Sequence, residues 1–418
     1  MTLHLDPADP AFARDPHAFY AAVRELGPAT RVTLANGTDA WLVTGYHQAR
    51  AVLTDPRLSN VPAPQTARHT SAAPSTESPP QARSAQRSVL ERHMLNADAD
   101  EHRRLRRLAA PAFTPRRVDA VAARIGHLAD TVIGGLTAKL RQKADADLVD
   151  DFAFPLPVLV ISDILGVPEA DRLDLRAWTY RVGSPAATLP SGQAARAWQS
   201  LHGYFTHLIA RKRRHPGDDL LSLLTHDRTP QAPDDGELLA MAFLLLFAGY
   251  ETTMNLLASA TLLLLTHSEE LLAARTAGDP GWSAVIEETL RHASPLEGAT
   301  WRRTTEPVDL GGTVIPAGAS VLAVLAAANR DPRVFAAPHT FRPRRYAPGN
   351  RTAPAHLAFG HGPHVCLGAR LARLEAGIAL PRLFAALPSL RLATAPAVLP
   401  WRPGLLVRGP LTLPVRLA

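Results

Sequence analysis

The single cysteine of this 418-residue chain, Cys366, lies in a segment whose residue types could build a reactive sulfur site. The segment is Phe359-Gly-His-Gly-Pro-His-Val-Cys-Leu-Gly368. Gly360 and Gly362 permit tight backbone turns beneath a flat ligand, and Gly368 permits close approach where a helix is predicted to begin. Backbone N–H groups at a helix N-terminus stabilise a thiolate. The spacing therefore predicts a thiolate that can act as a nucleophile or as a metal ligand.

The longest apolar stretch, residues 238–265, carries polar side chains near its centre. It is long enough to span a bilayer, but Glu251, Thr252 and Asn255 interrupt it, and a charge is costly in lipid. We therefore predict a helix buried in a soluble core, with Glu251 as a functional candidate. Thr252 can hydrogen-bond back to the carbonyl of Ala248, which would open the helix ladder and turn the hydroxyl towards a pocket.

The composition is that of a globular protein. Apolar residues make up 46% of the chain, which is enough to bury a large core, and one cysteine excludes an internal disulfide or a multi-cysteine zinc site. The net charge is +7, and almost all of the positive charges are arginines. No basic patch interleaved with aromatic residues indicates nucleic-acid binding. Residues 1–19 lack the apolar run of a signal peptide or membrane anchor. We expect a cytoplasmic protein with no nucleic-acid or membrane partner.

Helical periodicity dominates the chain and predicts a mainly α fold with small β-sheets. The predicted helices lie at 16–26, 46–53, 101–113, 118–140, 154–165, 171–182, 192–213 and 235–266. The predicted strands lie at 31–34 and 40–43, around an Asn-Gly turn, at 308–315 as a hairpin, and at 405–417. Residues 329–357 have no sustained periodicity. Residues 60–88 contain almost no large apolar side chain and predict a mobile surface loop, either disordered or a lid near a substrate entrance.

The ten residues from Phe359 to Gly368 resemble the haem-binding signature of the cytochromes P450, the haem-thiolate monooxygenases. The match of phenylalanine, glycines, histidine and cysteine at these spacings is specific enough to make chance agreement rare. The resemblance implies that Cys366 is the proximal ligand of the haem iron. It also assigns Phe359, Gly360 and Gly368 to the cofactor-binding loop.

A second segment, Ala248-Gly-Tyr-Glu-Thr-Thr253, resembles the family's oxygen-activating motif of a small residue, a glycine, any residue, an acid and a threonine. The resemblance implies that Ala248 and Gly249 leave room for dioxygen above the iron. It further implies that Thr252 holds water and the iron-bound oxygen in a proton relay, and that Glu251 feeds protons from solvent.

Glu288 and Arg291 stand three residues apart on one predicted helix face, between the two motifs, as the family's structural glutamate and arginine do. By resemblance, the pair locks the meander that precedes the cysteine loop. Many relatives complete a buried triad with an arginine where this chain has Thr340. The way in which the pair is supported is therefore left open.

Two sets of basic residues acquire roles from the same resemblance. Partly buried haem propionates need cationic or N–H donors, and the residues at the corresponding positions are His102, Arg106, Arg302 and His364. Family members dock an acidic iron–sulfur ferredoxin by electrostatic steering. The residues expected to face solvent for that purpose are Arg103, Arg104 and Arg107.

The resemblance implies the family's single-domain triangular prism over residues 1–418, with haem b and a hydrophobic small-molecule substrate. One atom of O2 would enter the substrate, by hydroxylation or epoxidation. Electrons from NAD(P)H would arrive through a separate ferredoxin and ferredoxin reductase, and a monomer is expected. The residues in these motifs are most similar to those of bacterial members that tailor macrolides and other polyketide, terpenoid or peptide-derived secondary metabolites. The implied substrate-lining residues are Met94, Leu95, Leu244, Phe247, Leu296, Ala299, Leu405 and Leu406.

Two other functions are compatible with parts of the sequence. Cys366 could be the nucleophile of a thiol enzyme with His361 or His364 as its base, although this leaves the motif around Thr252 unexplained. The chain could also be a haem-binding sensor or scaffold without turnover. Such a protein would have no need of an acid–threonine pair.

Overall fold

Helices account for most of the chain that the computed structural model describes, which is residues 3–62, 90–143, 145–183, 190–350 and 352–418. The predicted mainly helical fold with small sheets is confirmed. In chain order the described helices are α1 (Pro10–Arg14), α2 (His17–Leu26), α3 (Tyr46–Thr54), α4 (Ala99–Ala109), α5 (Pro115–Ala120), α6 (Ala122–Gln142), α7 (Pro155–Leu165), α8 (Arg172–Gly183), α9 (Gln193–Arg214), α10 (Leu220–Thr225), α11 (Asp235–Thr266), α12 (Ser268–Ala277), α13 (Asp279–His292), α14 (Leu325–Ala328) and α15 (Ala369–Ala386).

The long helix α11 has the bounds that its apolar pattern predicts. A capping box fixes its first turn: the Glu237 N–H donates to Asp234 Oδ1 at 2.8 Å, and the Asp234 N–H donates to Glu237 Oε2 at 3.0 Å. Among the described residues it is the one helix long and apolar enough to cross a membrane, and most of its apolar stretch is buried within the protein. This agrees with the predicted core helix.

The described residues form two compact units. The first contains those of Met1–Ala63, Asp119–Phe154 and Glu251–Ala418, and the second contains those of Pro64–Val118 and Pro155–Tyr250. Helix α11 therefore contributes its residues up to Tyr250 to the second unit and the remainder to the first. The expectation of one domain over residues 1–418 stays a prediction.

All the described strands lie in the first unit. They are β1 (Leu3–Leu5), β2 (Thr30–Leu34), β3 (Asp39–Val43), β4 (Leu58–Ser59), β5 (Ala146–Asp147), β6 (Arg302–Thr304), β7 (Val308–Leu310), β8 (Thr313–Ile315), β9 (Ser320–Ala323), β10 (Leu390–Leu392) and β11 (Pro414–Leu417). The largest sheet has the order β1-β2-β3-β9-β6-β4, the second β10-β11-β5, and the third β7-β8. In the largest sheet Val32 pairs with Ala40, and Leu42 with Leu322. These four side chains are buried, so the sheet packs into the core of this unit.

Both predicted hairpins are present. Strands β2 and β3 pair antiparallel around Asn36-Gly37, and β7 pairs with β8 around Gly311 and Gly312. Both of these glycines have positive φ, +62° and +91°, which the two-residue turn requires at its central positions.

The last predicted strand, at 405–417, is wrong over most of its length, because only Pro414–Leu417 forms a strand. Prolines before it lack the N–H group that a ladder needs.

Two helices, α12 and α13, follow α11 without having been predicted by periodicity, although a helix around Glu288 was expected. Gly278, with a φ of +64°, separates them, and Pro280 in the first turn of α13 also breaks the apolar spacing. The predicted helix 101–113 ends at Ala109, where a 3-10 turn containing Pro111 takes over. The predicted helix 118–140 is divided between α5 and α6.

The second unit is helical and has an aromatic column in its core. Trp198 of α9 stacks on Phe243 at 5.2 Å and on Phe247 at 5.6 Å between ring centroids, and Phe205 packs against Phe243. Trp198 remains 40% exposed, whereas Phe205 is fully buried. The column therefore joins α9 to the first half of α11.

The predicted mobile loop over residues 60–88 lies outside the described residues from position 63 onward. Its first residue, Asn60, is buried.

Candidate active site

The loop around Cys366 is folded by its own backbone hydrogen bonds. The Cys366 N–H donates to the Phe359 carbonyl at 2.8 Å, and the Val365 N–H donates to the Gly362 carbonyl at 3.1 Å. Gly360 and Gly362 adopt φ values of +74° and +76°, a left-handed conformation that side chains rarely tolerate. At Gly362 an added Cβ would also lie 2.7 Å from the Thr54 methyl group. The two glycines thus have the turning role predicted for them.

The sulfur of Cys366 is held at the beginning of α15. Gly368 is the N-terminal cap residue of this helix, and its carbonyl accepts from the Ala372 N–H at 2.9 Å. Cys366 is exposed, and so is Val365 beside it, at 41%. Cysteine is normally among the most buried residue types. An exposed sulfur beside an exposed valine, at a helix N-terminus that stabilises a thiolate, suits a ligand that covers this surface.

A cluster of charged side chains packs against the cysteine loop. Arg373 of α15 lies over the Phe359 ring, 4.5 Å from its centroid, and makes two hydrogen bonds of 2.5 and 2.9 Å to Glu287 of α13. His356 Nε2 lies 3.0 Å from the same carboxylate. Burial alone would raise the pKa of Glu287, but hydrogen bonds from Arg373 and His356 outweigh it and lower the pKa to about 2. Sequence reasoning missed Glu287, although it adjoins Glu288.

We expect Glu287→Gln to remove a pH-dependent part of the stability. The wild-type carboxyl has a pKa of about 2 when folded and 4.5 as its ordinary value, so the unfolded chain binds the additional proton first as pH falls. The stabilisation, at most about 3 kcal/mol, is therefore complete above pH 4.5 and disappears as pH falls to about 2. Urea unfolding at a series of pH values measures it. Identical pH dependence of the free energy of unfolding in both proteins would contradict this role of Glu287.

Glu288 and Arg291 form a fully buried pair in α13. Their two hydrogen bonds measure 2.8 and 2.7 Å, and neither side chain is exposed. Arg291 also donates to the carbonyls of Asn329, Pro338 and Thr340, at 2.8 to 3.1 Å. The arginine thereby joins α13 to the irregular segment 329–357.

The third member of this cluster is Arg345, which sequence reasoning did not identify. Its Nε donates to Glu288 Oε2 at 3.2 Å, and the Arg342 N–H donates to Glu288 Oε1 at 2.9 Å. Thr340 supplies only its carbonyl oxygen. The departure noted at position 340 therefore leaves Glu288 with a second arginine from a position five residues further on.

Arg302 and His364 both reach the segment that precedes residue 62. Arg302, buried on β6, donates to the carbonyls of Leu58 and Leu53 at 3.2 and 3.3 Å. His364 Nε2 lies 2.5 Å from Asn60 Nδ2, and Asn60 Oδ1 accepts from Thr300 Oγ1 at 3.2 Å. Two predicted propionate donors, Arg302 on β6 and His364 in the cysteine loop, thus both contact residues 53–60. No sequence signal indicated Asn60, which begins a stretch of low complexity.

His102 and Arg106 lie one turn apart on α4, in the second unit. His102 is buried, and its burial, followed by the charge of Arg106, lowers its pKa. Arg103 and Arg107 on the same helix are exposed, as expected. The expectation for Arg104 is wrong, because this side chain pairs with Glu101 at 2.6 Å and with the buried Glu237 at 2.5 Å.

The acid of α11 has a partner that sequence reasoning missed. Glu251 Oε1 lies 3.4 Å from Arg402 NH1, and both side chains are about one-fifth exposed, at 21% and 20%. Burial raises the pKa of Glu251, and the Arg402 charge opposes this rise. Thr252 is partly exposed and Thr253 buried. The bond from Thr252 to the carbonyl of Ala248 stays a prediction.

The remaining predicted residues are divided between the two units. In the second unit Ala248 is exposed, and an added Cβ at Gly249 would lie 2.9 Å from Ile161. The predicted lining residues of this unit are Met94, which is buried, and the partly buried Leu95, Leu244 and Phe247. Those of the first unit are the buried Ala299 and Leu405, the partly buried Leu296 and the exposed Leu406.

Comparisons with known proteins show the family to which the chain is similar. The family model described as Cytochrome P450 matches residues 280–388, which include Glu288, Arg291 and Cys366. Cytochrome P450 monooxygenase PikC of Streptomyces venezuelae is 44% identical over 407 residues, 97% of this chain and 92% of that protein. 6-Deoxyerythronolide B hydroxylase of Saccharopolyspora erythraea is 38% identical, with 100% of both chains covered.

A solved structure extends the likeness to the fold. The structure of the ligand-free P450 monooxygenase TamI has a TM-score of 0.84 and 38% sequence identity, and the match covers 100% of this chain and 94% of that chain. With relatives of this identity spanning nearly its whole length, the chain belongs to the cytochrome P450 family and is a monooxygenase of that family.

Proposed function

We propose that the chain holds haem b through Cys366 and inserts one atom of O2 into a hydrophobic small molecule of bacterial secondary metabolism. The observation that carries this proposal is the exposed Cys366 sulfur at the start of α15, in a loop braced by Phe359, Arg373 and Glu287. Bound haem would supply dioxygen binding and reduction, and electron donation from the thiolate favours O–O cleavage. The donor set suits it, since a thiolate and several cationic side chains match an iron and two carboxylates.

The protein's own residues would bind the cofactor and move protons. His102, Arg106, Arg302 and His364 would donate to the propionates. Thr252 would hold a water by its hydroxyl, and Glu251 would pass protons to it from solvent. Ala248 and Gly249 would keep this part of α11 free of bulky side chains.

The proposed reaction is hydroxylation or epoxidation of a macrolide, another polyketide, a terpenoid or a peptide-derived molecule. The largely apolar set of lining residues supports a hydrophobic substrate. The relative named 6-deoxyerythronolide B hydroxylase supports hydroxylation. Electrons would come from NAD(P)H through a ferredoxin reductase and an acidic ferredoxin, for which Arg103 and Arg107 are exposed. We further propose a cytoplasmic monomer.

The test is the absorption spectrum of the purified protein with haem, recorded in the ferric state and then reduced under carbon monoxide. We expect the long-wavelength Soret band of a thiolate-ligated haem, and we expect Cys366→Ser to lose it. His361→Ala, in the same loop, is the matched control and should keep the band. A wild-type protein that binds no haem after reconstitution would contradict the proposal and favour the cysteine-nucleophile enzyme.

The two loop histidines have partners at Nε2. His361 Nε2 accepts from Arg50 Nε at 3.4 Å, and His364 Nε2 faces Asn60. A thiol enzyme would have to use Nδ1 of one of them as its base, and it would leave the motif around Thr252 unexplained.

Haem retention tests the propionate donors on α4. We expect the double substitution of His102 and Arg106 by alanine to speed haem loss at least roughly tenfold, because each charge-assisted hydrogen bond contributes about 1.5 kcal/mol or more. Transfer of haem to excess apomyoglobin measures the rate. The exposed pair Arg103 and Arg107, replaced together, is the control and should leave the rate unchanged. Equal rates in the two double variants would remove His102 and Arg106 from the haem site.

A further inference from the structure

The acid of α11 belongs to a closed set of contacts with the C-terminal segment, residues 400–410. Arg402 NH1 lies 3.4 Å from Glu251 Oε1, and the Arg402 N–H donates to the Gly409 carbonyl at 2.9 Å. Gly409 lies directly against Asn255, since an added Cβ would be 1.9 Å from Asn255 Oδ1. Asn255 Nδ2 in turn donates to the Glu251 carbonyl at 2.9 Å. The four residues therefore form a ring that holds Glu251 by both its side chain and its backbone.

This ring leaves little freedom to the carboxylate. Glu251 and Arg402 are mostly screened from solvent, so their attraction is stronger than that of a surface pair. Among the described residues, Arg402 is the charged group that acts on the Glu251 carboxyl. No side chain can replace hydrogen at position 409 without moving Asn255, so the backbone of the C-terminal segment is fixed against α11.

The same segment is also bonded to the stretch that contains two proposed substrate-lining residues, Leu296 and Ala299. The Glu297 N–H donates to the Leu406 carbonyl at 2.9 Å, and the Arg408 N–H donates to the Pro295 carbonyl at 2.9 Å. The buried Arg408 guanidinium lies 3.5 Å from the buried Glu297 carboxylate.

The remaining proposed lining residues of this unit, Leu405 and Leu406, stand between the two paired arginines. The backbone of Arg402, on one side of them, is tied to Gly409.

We propose that Arg402 is a positioning residue, which holds Glu251 in place for proton delivery to Thr252. The proposal rests on the proposed function. In this proposal Arg402 contacts neither the substrate nor the haem, and it acts only through Glu251.

The experiment requires no substrate. Each variant is loaded with haem and must first give the thiolate-type band with carbon monoxide, and absence of the band in wild type would count against the proposed function alone. Electrons then come from NADPH through a plant-type ferredoxin and its reductase. Peroxide formation consumes one NADPH and one proton per O2, whereas full reduction to two waters consumes two NADPH and two protons and yields no peroxide. Peroxide released per NADPH, measured across neutral pH, therefore reports proton delivery.

We expect Arg402→Gln to raise this peroxide yield several-fold and to move the midpoint of its pH dependence upward by about one unit or more, because loss of a nearby cation favours the neutral carboxyl. Arg402→Lys should restore both values, which a purely structural role would not require. Arg333→Gln, which removes the same charge from the exposed pair with Glu25, should match wild type. A wild-type profile in Arg402→Gln, or a higher peroxide yield without a pH shift, would overturn the proposal.

Discussion

Replacing Arg291 by alanine should lower the free energy of unfolding by about 3 to 5 kcal/mol, because the change leaves the buried Glu288 without its main partner. Arg291 is fully buried and makes two hydrogen bonds to Glu288. It also satisfies three backbone carbonyls of the segment 329–357. Urea unfolding followed by circular dichroism measures the loss.

The control for this prediction is Arg333→Ala. Arg333 pairs with Glu25 at 3.2 Å, but both side chains are more than half exposed. Surface pairs of this kind contribute about 1 kcal/mol or less. A loss in Arg291→Ala no greater than that of the control would show that the buried cluster does not carry the stability assigned to it.

Thr252→Ala should keep haem and divert electrons from O–O cleavage to hydrogen peroxide, raising the peroxide formed per NAD(P)H by roughly tenfold or more. The reason is the proposed relay, in which the hydroxyl of Thr252 holds the water that receives protons from Glu251. The substitution removes only that hydroxyl and one methyl group from a partly exposed position. Peroxide and NAD(P)H are measured together during turnover with the same electron donors as above.

A second threonine of α11 provides the matched control. Thr261 is fully buried, and its hydroxyl donates to the Leu257 carbonyl at 2.8 Å, a bond made within the helix. Thr261→Ala should leave the peroxide yield as in wild type, since nothing assigns this hydroxyl to a relay. Equal peroxide yields in wild type and Thr252→Ala would take Thr252 out of the mechanism.

Local sequence signals predicted much of this fold. Helix α11 has its predicted bounds because an apolar run and a capping box at Asp234 and Glu237 act over a few residues. The Asn36-Gly37 turn likewise predicts its hairpin, because the residues that make the turn are adjacent in sequence. Where a proline or glycine interrupts the periodicity, as at Gly278, the apolar pattern does not indicate the helices on either side, α12 and α13.

Residues of the candidate site could be proposed from the sequence where their chemistry lies in one contiguous segment. The cysteine loop and the motif around Thr252 are short and specific, so their residues could be named from sequence. Asn60, Glu287, Arg345 and Arg402 could not, because each acts on a partner that only the tertiary fold brings near. In a chain with 45 basic residues, nothing local distinguishes the arginine that meets a buried acid from those that meet water.

The position of Leu405 and Leu406 between two paired arginines bears on efforts to redirect this enzyme towards new products. Each leucine is within four residues of a guanidinium that holds an acid, Arg402 on one side and Arg408 on the other. Because both leucines are proposed substrate-lining residues, we expect a mutant library that randomises 405 and 406 but fixes both arginines to vary product choice and to leave Arg402 paired with Glu251. We expect a library that also randomises Arg402 to accumulate variants that consume NAD(P)H without making product.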